Sequence, residues 1–149
     1  MKIYLDVCCL NRPFDDQTQN RIRLEAEAVL LILTHIQAGD WEWISSEVVI
    51  DEIEQTPDPK RRDRVHQLMN HANHSHLLTD NDIVRANTLV NLGFGSMDAL
   101  HLACAESSHS DFFLTTDDKL HRQAIRLQNQ LNVVVGNPLN WLVTQQETE

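Results

Sequence analysis

Positive charge is scarce in this chain. Its 149 residues carry 12 Lys and Arg against 22 Asp and Glu, a formal net charge of −10 and a pI of about 5.1. Such a surface does not hold a polyanion through bulk charge. Either nucleic acid is not the ligand, or binding depends on a local basic patch and on metal. The densest patch is Lys60-Arg61-Arg62-Asp63-Arg64, whose plainer reading is a solvated helix face. Cysteine is scarce too. Cys8 and Cys9 are adjacent and Cys104 is distant, so no disulfide framework forms. The expectation is a cytoplasmic protein with reduced thiols. The longest apolar run, Ala28 to Leu33, is far too short to span a bilayer. No basic, apolar leader of signal type is present. No GxGxxG or Walker pattern occurs, and Gly93-Phe94-Gly95 is too short for a phosphate-binding loop.

With 42% hydrophobic and 23% charged residues, the composition is that of one globular domain with a real core. The domain is read as residues 1–143, with 144–149 as a polar tail. Ile3-Tyr4-Leu5 is a short apolar run of the kind that forms a strand buried on both faces. Val7 to Asp16, with its Asn, Pro and paired Asp, reads as a loop. Ile22, Ala26, Val29, Leu33 and Ile36 trace one stripe of a long helix, ended by Gly39-Asp40. Trp41 to Ile44 reads as a second strand, and Ser45-Ser46 caps a short helix to about Glu54. A polar helix spans about Pro59 to Asn70. Leu77-Leu78 ends a short strand, and Thr79-Asp80 caps a helix to about Asn91. Ser96 caps a largely apolar helix to about Ser107. Phe112-Phe113-Leu114 and Val133-Val134-Val135 are the remaining strands. Alternating strands and helices imply a three-layer α/β/α fold around a central, mostly parallel sheet.

Two of these strands run into acids: Asp6 after the first, Asp117 and Asp118 after Leu114. Ligands of open α/β sheets sit beyond the carboxyl ends of the strands, although either Asp could simply cap a turn or helix. In the helix after Ser46, Glu47, Asp51 and Glu54 share a polar face, while Glu52 falls on the inward side between Val48 and Val49. A carboxylate directed inward needs a partner, either an Arg or a metal ion. Asp98 and His101 share a face of the apolar helix. For Asp98 the plain alternative is a first-turn acid on the helix dipole. His101 reads better as a satisfied core histidine than as a ligand. Carboxylates converging at one sheet edge repel each other, and hard divalent ions with oxygen ligands, Mg2+ or Mn2+, relieve that repulsion. His71, His74 and His76 have no cysteine nearby, which weighs against zinc.

The order of these pieces resembles the PIN-domain nucleases, which include the VapC-type toxins of bacterial toxin–antitoxin pairs. The matching stretches are Ile3-Tyr4-Leu5-Asp6, Ile44-Ser45-Ser46 followed by Glu52, Met97-Asp98-Ala99-Leu100-His101-Leu102-Ala103, and Leu114-Thr115-Thr116-Asp117. They cover about residues 1 to 143. The resemblance implies that Asp6, Glu52, Asp98 and Asp117 form an acidic cluster that binds Mg2+ or Mn2+ and carries catalysis. It implies that Thr115 orients Asp117, with Asp118 as a stand-in for that acid. It implies an RNA substrate, an antitoxin protein as partner, and a homodimer. Many relatives carry Ser, Thr or Asn two residues after the first Asp, where this chain has Cys8, and a thiol is a poor substitute there.

The function expected is therefore a metal-dependent endoribonuclease. It would hydrolyse RNA by an activated water and leave 5′-phosphate and 3′-hydroxyl ends. Candidate substrate contacts are Asn11 and Arg12 beside the site, Thr115 within it, and Arg61, Arg62 and Arg64 on the basic helix. The competing reading is a catalytically weak PIN-like module that binds RNA or protein through the same pocket. A phosphatase using Asp6 as nucleophile fits less well, because the second Asp of many such enzymes is replaced by Cys8.

Overall fold

The computed structural model of the protein describes residues 1–148. Five strands form one sheet in the order β3-β2-β1-β4-β5, and every pairing is parallel. β1 (Lys2–Leu5) is central. It pairs on one side with β2 (Glu42–Ser46), through Ile3↔Trp43, and on the other with β4 (Phe112–Leu114), through Tyr4↔Phe113. β3 (His74–His76) and β5 (Val134–Gly136) are the edges. The chain first winds outward from β1 to β3, then crosses to β4. The carboxyl ends of β1 and β4 therefore flank the point where the winding reverses, which is where such sheets open a crevice.

Helices cover both faces, and one dipeptide shows why. Successive strand residues point to opposite faces. Phe113 stacks on Tyr4 at 5.3 Å, and Tyr4 meets His101 of α6 (Ser96–Ser107) edge-on at 5.8 Å. Its neighbour Phe112 instead meets Trp141 of α8 (Pro138–Thr148) at 5.4 Å. Ile3, Tyr4, Leu5, Phe113 and Leu114 are wholly buried, each contributing about 2 kcal/mol by leaving water. α2 (Asn20–Gln37) packs with α8, and α5 (Asp80–Asn91) with α6. Gly39, at φ +85, closes α2 in the left-handed conformation that glycine adopts without strain.

Several sequence expectations are corrected. Val7–Asn11 is a short helix, α1, followed by a 3-10 turn over Arg12–Phe14, not a loop. Asp6 caps α1 by accepting the Val7 N–H at 2.8 Å. The third strand is the polar His74–His76, not a segment ending at Leu77-Leu78. Gly95, not Ser96, occupies the N-cap of α6. α8 continues to Thr148, so residues 144–148 of the segment read as a tail extend that helix; Glu149 lies outside the described residues. No helix among the described residues is long and apolar enough to cross a membrane.

Candidate metal centre

The site begins with β1. Its last residue hands the chain to Asp6, whose N–H donates to the Leu114 carbonyl of β4 at 3.0 Å. The Asp6 carboxylate is buried, and the Thr115 hydroxyl donates to its Oδ2 at 2.8 Å. Thr115 in turn accepts the Asp117 N–H at 3.1 Å. One hydroxyl thus ties the end of β1 to the turn after β4. Asp117 caps α7 (Asp118–Arg126), its Oδ1 accepting the N–H groups of Lys119 and Leu120.

Cys8 bridges the same two turns. Its Sγ lies 3.4 Å from Asp6 Oδ2 and 3.3 Å from Thr115 Oγ1, and it accepts the Thr116 N–H at 3.3 Å. The thiol occupies the place where the resemblance implies a hydroxyl or amide.

The other wall comes from two helices. α3 (Glu47–Glu54) starts at Ser46, whose Oγ accepts the Val49 N–H at 3.2 Å. Asp51 and Glu54 face solvent, while Glu52 is partly shielded and turned toward α6. α6 supplies Asp98 and His101. Donor atoms of Asp6, Glu52 and His101 all lie within 4.8 Å of one another. Burial raises the Asp6 carboxyl above its ordinary value, and Glu52 adds to the rise, against the opposing pull of His101 and the Thr115 hydroxyl. Asp98 is pushed up to about 6, by burial first and then by the charges of Asp6, Asp117 and Glu52. Buried carboxylates crowded together behave in this way, and His101 opposes the rise at both acids.

His101 is the residue sequence reasoning undervalued. It is fully buried, and Nδ1 is 2.7 Å from the Tyr4 hydroxyl. Only half of the expected core histidine is present, however, because Nε2 has no hydrogen-bond partner among the described residues. The three-residue spacing from Asp98 was the available signal.

The candidate substrate residues lie together but are engaged internally. Arg12 pairs with Glu25 of α2 at 2.9 Å and with Asp15 at 3.3 Å. Arg61 of α4 (Pro59–Met69) donates to Asp15 at 2.8 Å, to Asn11 Oδ1 at 3.4 Å and to the Phe14 carbonyl at 2.7 Å. Arg62 Nη1 donates to the Thr56 carbonyl, and Arg64 lies 6.0 Å from the centre of the Phe14 ring. Asn11 Nδ2 donates to the Val7 carbonyl. Asp118 is held by both terminal nitrogens of Arg21 and is turned to α2. His71, His74 and His76 reach Gln37, Glu42 and Asp82 respectively and do not converge.

A parallel α/β domain whose carboxylates gather beyond β1 and β4 is the class that fold and site define. The family profile described as PIN domain matches residues 3–126. The chain belongs to the PIN domain family. Among the solved structures that share its fold are two alike over nearly the whole chain. One is VapBC2 from Rickettsia felis bound to a DNA fragment from their promoter, with TM-score 0.60, 11% identity, and 92% of this chain and 98% of that chain covered. The other is VapBC-1 from nontypeable Haemophilus influenzae, with TM-score 0.60, 14% identity, and 93% and 98% covered. No curated protein matches the chain.

Proposed function

We propose that the protein is a metal-dependent endoribonuclease, the toxin of a toxin–antitoxin pair. The observation that carries this reading is the convergence of Asp6, Glu52 and His101, with the Asp98 carboxyl pushed up to about 6 by burial and by the charges of Asp6, Asp117 and Glu52. The donor set fits a divalent ion: carboxylates that repel each other, and a buried ring nitrogen with no hydrogen-bond partner among the described residues. Asp6, Glu52, Asp98 and Asp117 would hold Mg2+ or Mn2+. Such an ion supplies charge neutralisation at a phosphodiester and water activation at neutral pH.

The chain's own residues do the rest. Thr115 holds Asp6 and the Asp117 backbone in one frame. Asp98 lies at the start of α6, where its acid adds to the cluster. The 3-10 turn after α1 and the basic α4 form the adjoining rim, where Asn11, Arg12, Arg61, Arg62 and Arg64 are assigned to RNA. The reaction breaks the P–O3′ bond by attack of water, leaving 5′-phosphate and 3′-hydroxyl ends. The VapBC likeness supports, at the level of fold, an antitoxin partner; a homodimer and a cytoplasmic location complete the proposal.

The test is cleavage of a structured RNA with end-group analysis. Cutting stops in EDTA and returns with Mn2+. Asp6→Asn lowers the rate about 100-fold or more, because it removes a charge that binds the ion but little volume. Activity in EDTA, or 2′,3′-cyclic phosphate ends, rules the mechanism out. Metal-bound, RNA-bound but uncut material would favour the weak binding module instead.

A further inference from the structure

His101 Nε2 is a buried lone nitrogen facing two carboxylates. It lies 3.5 Å from Glu52 Oε1, shares a 4.8 Å cluster with Asp6 and Glu52, and makes no hydrogen bond among the described residues. Leaving such an atom unpaired forfeits the bond it made with water. The rest of the residue is well provided for. The ring sits edge-on to Tyr4 at 68°, and Nδ1 meets the Tyr4 hydroxyl at 2.7 Å. The Tyr4 hydroxyl also lies 2.7 Å from Ser46 Oγ.

The hydrogen-bond network accommodates the ring proton on Nδ1, the tautomer that a metal ion at Nε2 requires. In that tautomer Ser46 Oγ, which accepts the Val49 N–H, takes the Tyr4 hydroxyl proton with its remaining lone pair. The Tyr4 oxygen is then free to accept, and Nδ1–H donates to it. In this tautomer Nε2 carries the lone pair. A lone pair aimed at two carboxylates is repulsive unless a cation lies between them. A ring nitrogen fixed from behind through its other N–H is the usual arrangement of a histidine that binds metal.

We infer that His101 Nε2 is a nitrogen ligand of the divalent cation held by Asp6 and Glu52, with Tyr4 and Ser46 as its positioning residues. The inference rests on the metal-site reading above and adds to it a mixed oxygen and nitrogen donor set. Imidazole suits Mn2+ and the later first-row ions better than Mg2+. The site therefore prefers Mn2+ over Mg2+ by more than its carboxylates alone would.

The experiment uses the full-length protein and Mn2+ as the probe. Electron spin-echo spectra of the Mn2+-loaded protein show coupling to a directly bound nitrogen, and His101→Gln abolishes it. Tyr4→Phe keeps the ring stacked on Phe113 and removes the hydroxyl that links Nδ1 to Ser46 Oγ; it weakens Mn2+ binding by about 10–100-fold in titration calorimetry. His101→Gln also narrows the ratio of Mn2+ to Mg2+ affinity. The wild-type spectrum needs no variant, so a misfolded substitution does not obscure the answer. Mn2+ bound without nitrogen coupling, in a protein whose RNA cleavage is metal-dependent, overturns the role of His101 and leaves the nuclease reading standing. Failure to bind Mn2+ at all overturns both.

Discussion

Arg61 Nη2 donates to the main-chain carbonyl of Phe14, 2.7 Å away across 47 residues of chain. With the contacts to Asp15 and Asn11, this makes Arg61 the clasp between α4 and the turn that follows the first site acid. Arg61→Ala is expected to cost about 2 kcal/mol, since charged hydrogen bonds are lost and a carbonyl is left unpaired. The melting temperature should fall by about 4–8 °C. An unchanged melt would show that the clasp is not used.

Arg64 is different, because its guanidinium rests only near the Phe14 ring, 6.0 Å from its centre. Arg64→Ala should leave the melt alone. It should lower the slope of log affinity for single-stranded RNA against log salt by about 0.7, the value for one phosphate contact. The triple change of Arg61, Arg62 and Arg64 to Ala should flatten the slope further. A slope that does not move in either variant assigns this helix to solvent or to a protein partner.

Asp98 gives the metal-free protein a characteristic pH dependence. Its carboxyl is raised from the ordinary 3.8 to about 6, so the folded state holds this proton more tightly than the unfolded state does. Between about pH 4 and 6 the folded state binds the extra proton, and stability falls as pH rises. Asp6 is raised as well and acts in the same direction. Asp98→Asn should therefore gain on the wild type as pH increases through this window in EDTA. Mn2+ at a hundredfold excess over its dissociation constant should restore about 2.7 kcal/mol to the wild type. Parallel melting curves for the two proteins at all pH values would contradict the assigned origin of the shift.

Cys8 contacts Asp6, Thr115 and the Thr116 N–H through sulfur, at 3.3–3.4 Å. A hydroxyl is the stronger donor. Cys8→Ser is expected to hold Asp6 more firmly and to raise the cleavage rate by a few fold, with little change in melting temperature. Single-turnover cleavage at saturating Mn2+ measures this directly, and a slower variant would mean that the larger sulfur is needed to fill the gap between the two turns.

The apolar strands and the capped helices were legible because burial and capping are written in residue type. Ile3-Tyr4-Leu5 and Phe112-Phe113-Leu114 have no polar face, and Thr79 with Asp82 forms the capping box that ends one segment and starts the next. β3 was not legible. His74-Ser75-His76 has little intrinsic strand preference, and its conformation comes from pairing with Ile44, Ser45 and Ser46. α1 was hidden for a related reason. Asn, Pro and Asp signalled a break, but Asp6 supplied the cap that a five-residue helix requires. At the site, residue order pointed to the acids, whereas the free edge of His101 depended on a Tyr4 hydroxyl 97 positions away. The internal pairing of Arg12 and Arg61 was equally invisible, because their acidic partners lie on other elements.

The central position of β1 sets a timetable for synthesis. Its pairing with β4 joins Leu5 to Leu114, so the first acid leaves the ribosome more than a hundred residues before Thr115, the hydroxyl that fixes it. At ordinary translation rates that interval is on the order of ten seconds. During it a nascent chain carries Asp6 and Glu52 without the turn that completes their frame. The order of strands in the sheet thus works as a delay: the frame around Asp6 closes only after β4 and the turn at Thr115 have been made.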